Sequence, residues 1–111
     1  MNTNNVIDLK DFQTSGSRVF TGRDRGIEVR EASKIDLIES QNDEVIVKIP
    51  SDIGSVNPSF LEEFLFSVVV KLKPNNFFKK FKFINEGRYK ITNDLQEAVD
   101  RILREETALS H

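Results

Sequence analysis

The chain contains no cysteine, which excludes disulfides, thiolate metal sites and a cysteine nucleophile. Its one histidine is His111, the last residue, so a serine–histidine triad or a histidine-based zinc site would require the chain end to fold back. The longest apolar stretch, Phe64 to Val70, is interrupted by Ser67 and flanked by Glu63 and Lys71, far too short to span a bilayer. Met1 to Asn5 shows no basic segment leading into an apolar run, so no secretory signal is expected and a cytoplasmic location is. Internal repeats, low-complexity linkers, a Walker-type glycine loop and calcium-spaced carboxylates are missing too. Neither charge sign dominates. A net charge of −2 argues against the whole molecule being an electrostatic nucleic-acid binder.

What is present is the composition of an ordinary globular domain, with 38% hydrophobic and 31% charged residues. At 111 residues it is one domain, large enough for a hydrophobic core without staples. Val6 to Leu9 reads as a short first strand, and Thr14-Ser15-Gly16-Ser17 as a loop. Thr21 is placed to cap a helix running to about Ser33, with Asp24 favourable to its positive end. Ile35 to Glu39 reads as a short strand forming a hairpin with Val45 to Ile49 across the turn Gln41-Asn42-Asp43.

A tight turn, Gly54 to Ser59, then leads into a helix over Ser59 to Leu72, whose Leu61, Phe64, Leu65, Val68 and Leu72 make one stripe. Pro74-Asn75-Asn76 is expected to end it. Phe77, Phe81 and Phe83 among lysines suggest a strand over Phe77 to Ile84 with one covered face, followed by a turn at Asn85-Glu86-Gly87. Asp94 to Glu106 is an amphipathic helix capped by Thr92 or Asn93, with Leu95, Ala98, Val99, Ile102 and Leu103 on one side. Strands alternate with helices through short connections, which predicts a small α/β domain with a mixed sheet covered by helices.

The segments Val45-Ile46-Val47-Lys48-Ile49 and Val56-Asn57-Pro58-Ser59-Phe60-Leu61-Glu62-Glu63-Phe64-Leu65 resemble the central strand–turn–helix unit of STAS domains, the fold of bacterial anti-sigma factor antagonists. Ser59-Phe60-Leu61-Glu62-Glu63 opening the helix, and Arg23-Asp24-Arg25-Gly26-Ile27-Glu28-Val29-Arg30 upstream, look like the bacterial STAS-like domains of unknown function. The likeness spans roughly Val19 to Leu103. Laid on the Asp-Ser-Ser-Gly signature, Asn57 replaces the aspartate, Pro58 the first serine and Phe60 the glycine. The resemblance implies a STAS-like domain over residues 19–106, preceded by an N-terminal strand and partly flexible loop (1–18) and followed by a flexible tail (107–111). It also implies a non-catalytic signalling module with a protein partner, a GHKL-type ATP-binding kinase or anti-sigma-like protein.

On that reading the partner docks on the Gly54 to Ser59 loop and the following helix, with Ser55, Asn57, Ser59, Phe60 and Glu63 as the docking or switch residues. Ser59 has two readings: a phosphorylatable switch at a helix N-terminus, or simply the N-cap of a capping box completed by Glu62. Arg23, Gly26 and Arg30 fall on one helix face, where they could admit a nucleotide or other anion together with Ser59. In the bland alternative, Gly26 allows close packing and the arginines pair with Asp24, Glu28 or Glu31.

Phe60, Phe66 and Val70 lie off the main stripe and face either a second layer of core or an interface. Lys71 to Lys90 holds seven basic residues, one acidic residue and five aromatics, yet strand alternation would separate rings from charges, so nucleic-acid binding is not expected. Glu62-Glu63 and Glu105-Glu106 read as solvated faces rather than acid–base pairs. No cofactor, metal or membrane contact is expected.

Overall fold

A computed structural model describes residues 5–109. In chain order the elements are β1 (Val6–Asp8), a 3-10 turn (Leu9–Phe12), β2 (Val19–Phe20), α1 (Arg23–Ser33), α2 (Ile35–Gln41), β3 (Val45–Ile49), β4 (Ser55–Val56), α3 (Pro58–Lys80), β5 (Phe81–Asn85) and α4 (Thr92–Leu109). Three strands form a sheet in the order β1-β3-β5, and β2 pairs with β4 in a separate two-stranded ribbon. The α/β class agrees with the sequence. The mixed sheet does not, because every pairing among the described residues is parallel.

The reason lies in β3. Its two edges are taken by β1 (Ile7 opposite Val47) and β5 (Val47 opposite Phe83), which leaves no edge for a hairpin partner. Ile35 to Glu39 is accordingly helical, a correction to the strand expected there. Ile35 and Glu39, one turn apart, are the buried residues of α2. Glu39 is only 2% exposed, and its carboxylate accepts hydrogen bonds from Lys71 Nζ and Lys80 Nζ, each at 2.7 Å. Burial pushes this carboxyl up, but the two ammonium groups outweigh it and hold it below the usual carboxylate range. The pair of lysines makes a buried acid tolerable on what would otherwise be an unremarkable amphipathic helix.

Strand alternation sends Val45, Val47 and Ile49 into the core and leaves Ile46 and Lys48 half-exposed. Helices α1, α2 and α4 all pack on α3, and α3 in turn packs on β5. Helix α3 supplies the centre of the core with Phe60, Leu61, Phe64, Leu65, Val68 and Val69. Phe66 and Val70, off its main stripe, are partly buried against the same core. The stop expected at Pro74 is a break rather than an end. Lys73 leaves helical geometry at φ 69°, ψ 158°, and helix resumes through Lys80. Proline suits that resumption, since its fixed φ and missing N–H are harmless in a first turn. Phe77 is therefore helical rather than part of a strand, and stacks on Phe81 with ring centroids 4.9 Å apart.

Helix boundaries also shift. Gly22 at φ 94°, not Thr21, precedes α1 and offers no side-chain cap. Helix α4 starts before the expected caps, with Leu95 N bonded to the Ile91 carbonyl at 2.8 Å, so Thr92 and Asn93 lie within its first turn. It continues through Thr107 to Leu109, where a tail was expected; Ser110 and His111, like Met1 to Asn4, lie outside the described residues. The N-terminal strand pairs with β3 and places Ile7 and Leu9 in the common core.

Candidate functional site

The β2–β4 ribbon decides the geometry of the turn before α3. Phe20 lies opposite Val56, and Asn57 N donates to the Phe20 carbonyl at 2.8 Å, so the two strands end together. Helices α1 and α3 therefore begin side by side, with Gly22 N donating to Ser59 Oγ at 3.3 Å. Two positive helix ends meet at one hydroxyl. That convergence has no sequence signal except the glycine placed just before α1.

Ser59 is not the N-cap. Asn57 is: its Oδ1 accepts from Ser59 N at 2.9 Å and from Ser59 Oγ at 2.8 Å, with Pro58 opening the helix. The expected capping box does not form either, because Glu62 is 2% exposed and turned into the protein. An amide oxygen two residues upstream reaches the first free N–H as well as a serine would, and it leaves the Ser59 hydroxyl shared with α1. Asn57 is exposed, Ser55 and Ser59 are half-buried, and all three sit at the turn. Phe60 does not join them at the surface. It is fully buried, with ring centroids 5.1 Å from Phe20 and 5.7 Å from Phe64.

Arg23, Gly26 and Arg30 do share one face of α1, and that face is pressed against α3. A Cβ on Gly26 would lie 2.4 Å from the Phe60 carbonyl oxygen and 2.8 Å from Glu63 Cβ. The arginines find their partners across the interface rather than on their own helix. Arg23 meets Glu62 Oε1 at 3.2 Å and Glu63 Oε2 at 3.1 Å, while Arg30 Nη1 donates to the Glu63 carbonyl at 2.8 Å. The Glu62 carboxylate 3.2 Å away, then Glu63, raise the Arg23 guanidinium above its ordinary value. Glu63, expected at a docking surface, is thus committed to both arginines.

No protein-family model, curated protein or solved structure matches this chain.

Glu62 and Glu105 were expected on solvated faces, and the structure corrects this for Glu62. Its Oε1 sits 3.2 Å from Arg23 Nη2 and 4.0 Å from Arg101 Nη1, near two cations yet without a well-directed hydrogen bond. A wide apolar arc at the start of α3, with Phe60, Leu61, Phe64 and Leu65 around it, was the available sign that Glu62 would be enclosed. Glu105 on α4 shares this pocket of charge. Its interaction with the Glu62 carboxylate, then burial, raises its carboxyl above the ordinary value. A raised acid contributes stability that is complete below its unfolded value and disappears as pH rises through the folded one. Glu105→Gln keeps a hydrogen-bonding group and removes the charge facing Glu62. It should raise Tm near about pH 7 and leave it almost unchanged near about pH 4. Thermal melts at both values test this, and an unchanged Tm at the higher pH would exclude the repulsion.

Tyr89, the single tyrosine, was another residue without a sequence signal. Its hydroxyl lies 3.0 Å from the Val56 carbonyl and within hydrogen-bond reach of Asp94, which ties the β5–α4 loop to the end of β4. Burial first, and the Asp94 carboxylate second, push this phenol well above its ordinary value. No helix among the described residues is long and apolar enough to cross a membrane.

Proposed function

We propose that this chain is a STAS-like, non-catalytic regulatory module of the bacterial cytoplasm that docks a protein partner through the Gly54 to Ser59 segment and the start of α3. The observation that carries the reading is the Ser59 hydroxyl, held between Asn57 Oδ1 and the Gly22 N–H where α1 and α3 begin together. A phosphoryl group on this oxygen would face the positive ends of two helices, which stabilise added negative charge. It would also displace the Asn57 contact and so change the exposed turn that a partner reads. The resemblance of the strand–turn–helix unit to STAS domains supports a GHKL-type ATP-binding kinase or anti-sigma-like protein as that partner.

The rival reading, an anion held by Arg23, Arg30 and Ser59, has less support. Both guanidinium groups already face the α3 carboxylates, so little positive charge is left for a ligand.

Affinity capture from bacterial extract with the wild type and with Ser59→Asp tests the docking reading. A GHKL-type protein should be recovered with the wild type and lost or reduced at least about tenfold with the variant, a difference of about 1.4 kcal/mol. Equal recovery with both would remove Ser59 as a switch.

A further inference from the structure

A second site lies on the opposite side of the β2–β4 ribbon from the turn at Ser59. Strands β3 and β5 are parallel and in register to their ends, with Ile49 opposite Asn85, so the loops that follow them leave the same edge of the sheet. Glu86 N bonds the Ile49 carbonyl at 3.0 Å, and Gly54 N bonds the Arg18 carbonyl at 2.7 Å. Three segments therefore converge: the approach to β2, the β3–β4 loop and the β5–α4 loop. Gly87 lets two of them touch backbone to backbone, since a Cβ there would lie 2.4 Å from the Ser51 carbonyl oxygen.

Between them is an open cleft of about 630 Å3, lined by Arg18, Ser51, Asp52, Gly54, Arg88 and Tyr89 among others. The carboxyl edge of a parallel sheet is where α/β domains most often place ligands. The volume falls within the range of small-molecule sites, about 300–1,000 Å3.

The charges in the cleft set the ligand. Arg23, Arg25, Arg30 and Arg101 each have a carboxylate partner. Arg18 and Arg88 are exposed, and neither side chain has a hydrogen bond or ion pair. Asp52, which lines the same cleft, forms no ion pair with either of them; its Oδ2 accepts from Gln13 Nε2 at 3.0 Å. Two unspent guanidinium groups match a dianionic oxyanion, which they can grip through paired N–H donors. One fixed carboxylate beside them accepts a hydroxyl from the ligand body and repels further anionic groups.

We infer that this cleft binds a small phosphate monoester with a hydroxylated body, such as a sugar phosphate or a nucleoside monophosphate. Arg18 and Arg88 hold the phosphate, and Asp52 accepts from the body. The inference rests on different side chains from the docking reading, with which the cleft shares only Gly54.

Amide NMR titration of the full chain with ribose 5-phosphate, adenosine 5′-monophosphate, inorganic phosphate and adenosine tests it. Saturable shifts at Ser51, Asp52, Gly54, Gly87 and Arg88 are expected with the two monoesters, weaker ones with inorganic phosphate, and none with adenosine. Arg18→Ala and Arg88→Ala should each weaken binding about tenfold. Arg104→Ala, which removes another unpaired arginine on α4 outside the cleft, should leave it unchanged. All three positions are exposed, so the variants should keep the wild-type spectrum. Shifts that map elsewhere, adenosine binding as tightly as its monophosphate, either cleft variant binding like the wild type, or no saturation by about 10 mM of either monoester would overturn the inference.

Discussion

Phe60→Ala is expected to destabilise the protein by about 3–5 kcal/mol, a large share of the total of about 5–15 kcal/mol usual for a domain. The ring is fully buried at the start of α3 and touches both Phe20 on β2 and Phe64 one turn further on. Removing it takes away the buried apolar surface and leaves a cavity lined by aromatic edges that cannot collapse without moving the ribbon. The same loss should loosen the Ser59 turn, because Phe60 is the anchor that follows it. Urea denaturation should show a lower midpoint with an unchanged slope. A loss below about 1 kcal/mol would mean that the ring is not enclosed, and Phe60 would return as a residue available to a partner.

Gly26→Ala carries the next largest expectation, and its sign is the informative part. By helix propensity alone, alanine should stabilise α1 by about 1 kcal/mol. In the folded protein the new methyl would meet the Phe60 carbonyl oxygen at 2.4 Å, Glu63 Cβ at 2.8 Å and Phe64 N at 3.2 Å. Two of those three atoms are backbone, so relief requires α1 to move away from α3. That movement also stretches the contacts from Arg23 and Arg30 to Glu63. Overpacking of this kind costs about 1–3 kcal/mol or more, so a net loss of about 2 kcal/mol is expected. Glu28→Ala, an exposed change on the same helix, should stay within about 0.5 kcal/mol and calibrates the comparison. A stabilised Gly26→Ala variant would show that the two helices part freely.

These two variants mark where sequence reasoning succeeded and where it stopped. The α3 stripe of Leu61, Phe64, Leu65 and Val68 was legible because helical period alone puts those residues on one face. The apolar alternation of Val45 to Ile49 was legible for the same reason at period two. The facing of Arg23, Gly26 and Arg30 was legible too, since spacing fixes a helix face without any partner. What that face meets was not, because Glu63 lies 40 residues from Arg23 and 33 from Arg30 along the chain. Ile35 to Glu39 went wrong because its period is ambiguous and its buried Glu39 depends on Lys71 and Lys80, which only the fold brings near.

The amino-acid sequence by itself therefore determined the α/β class, the order of most elements and the residues of the central core. Local periodicity, turn residues and chain order are enough for those. Tertiary structure alone decided that all the described strand pairs are parallel, that Asn57 rather than Ser59 caps α3, and that α1 and α3 begin together at the Ser59 hydroxyl. It also decided which arginines are neutralised and which two remain open at the sheet edge. Each of these depends on pairing between distant segments, and a pairing partner is set by the packing of the whole chain rather than by the residues on either side.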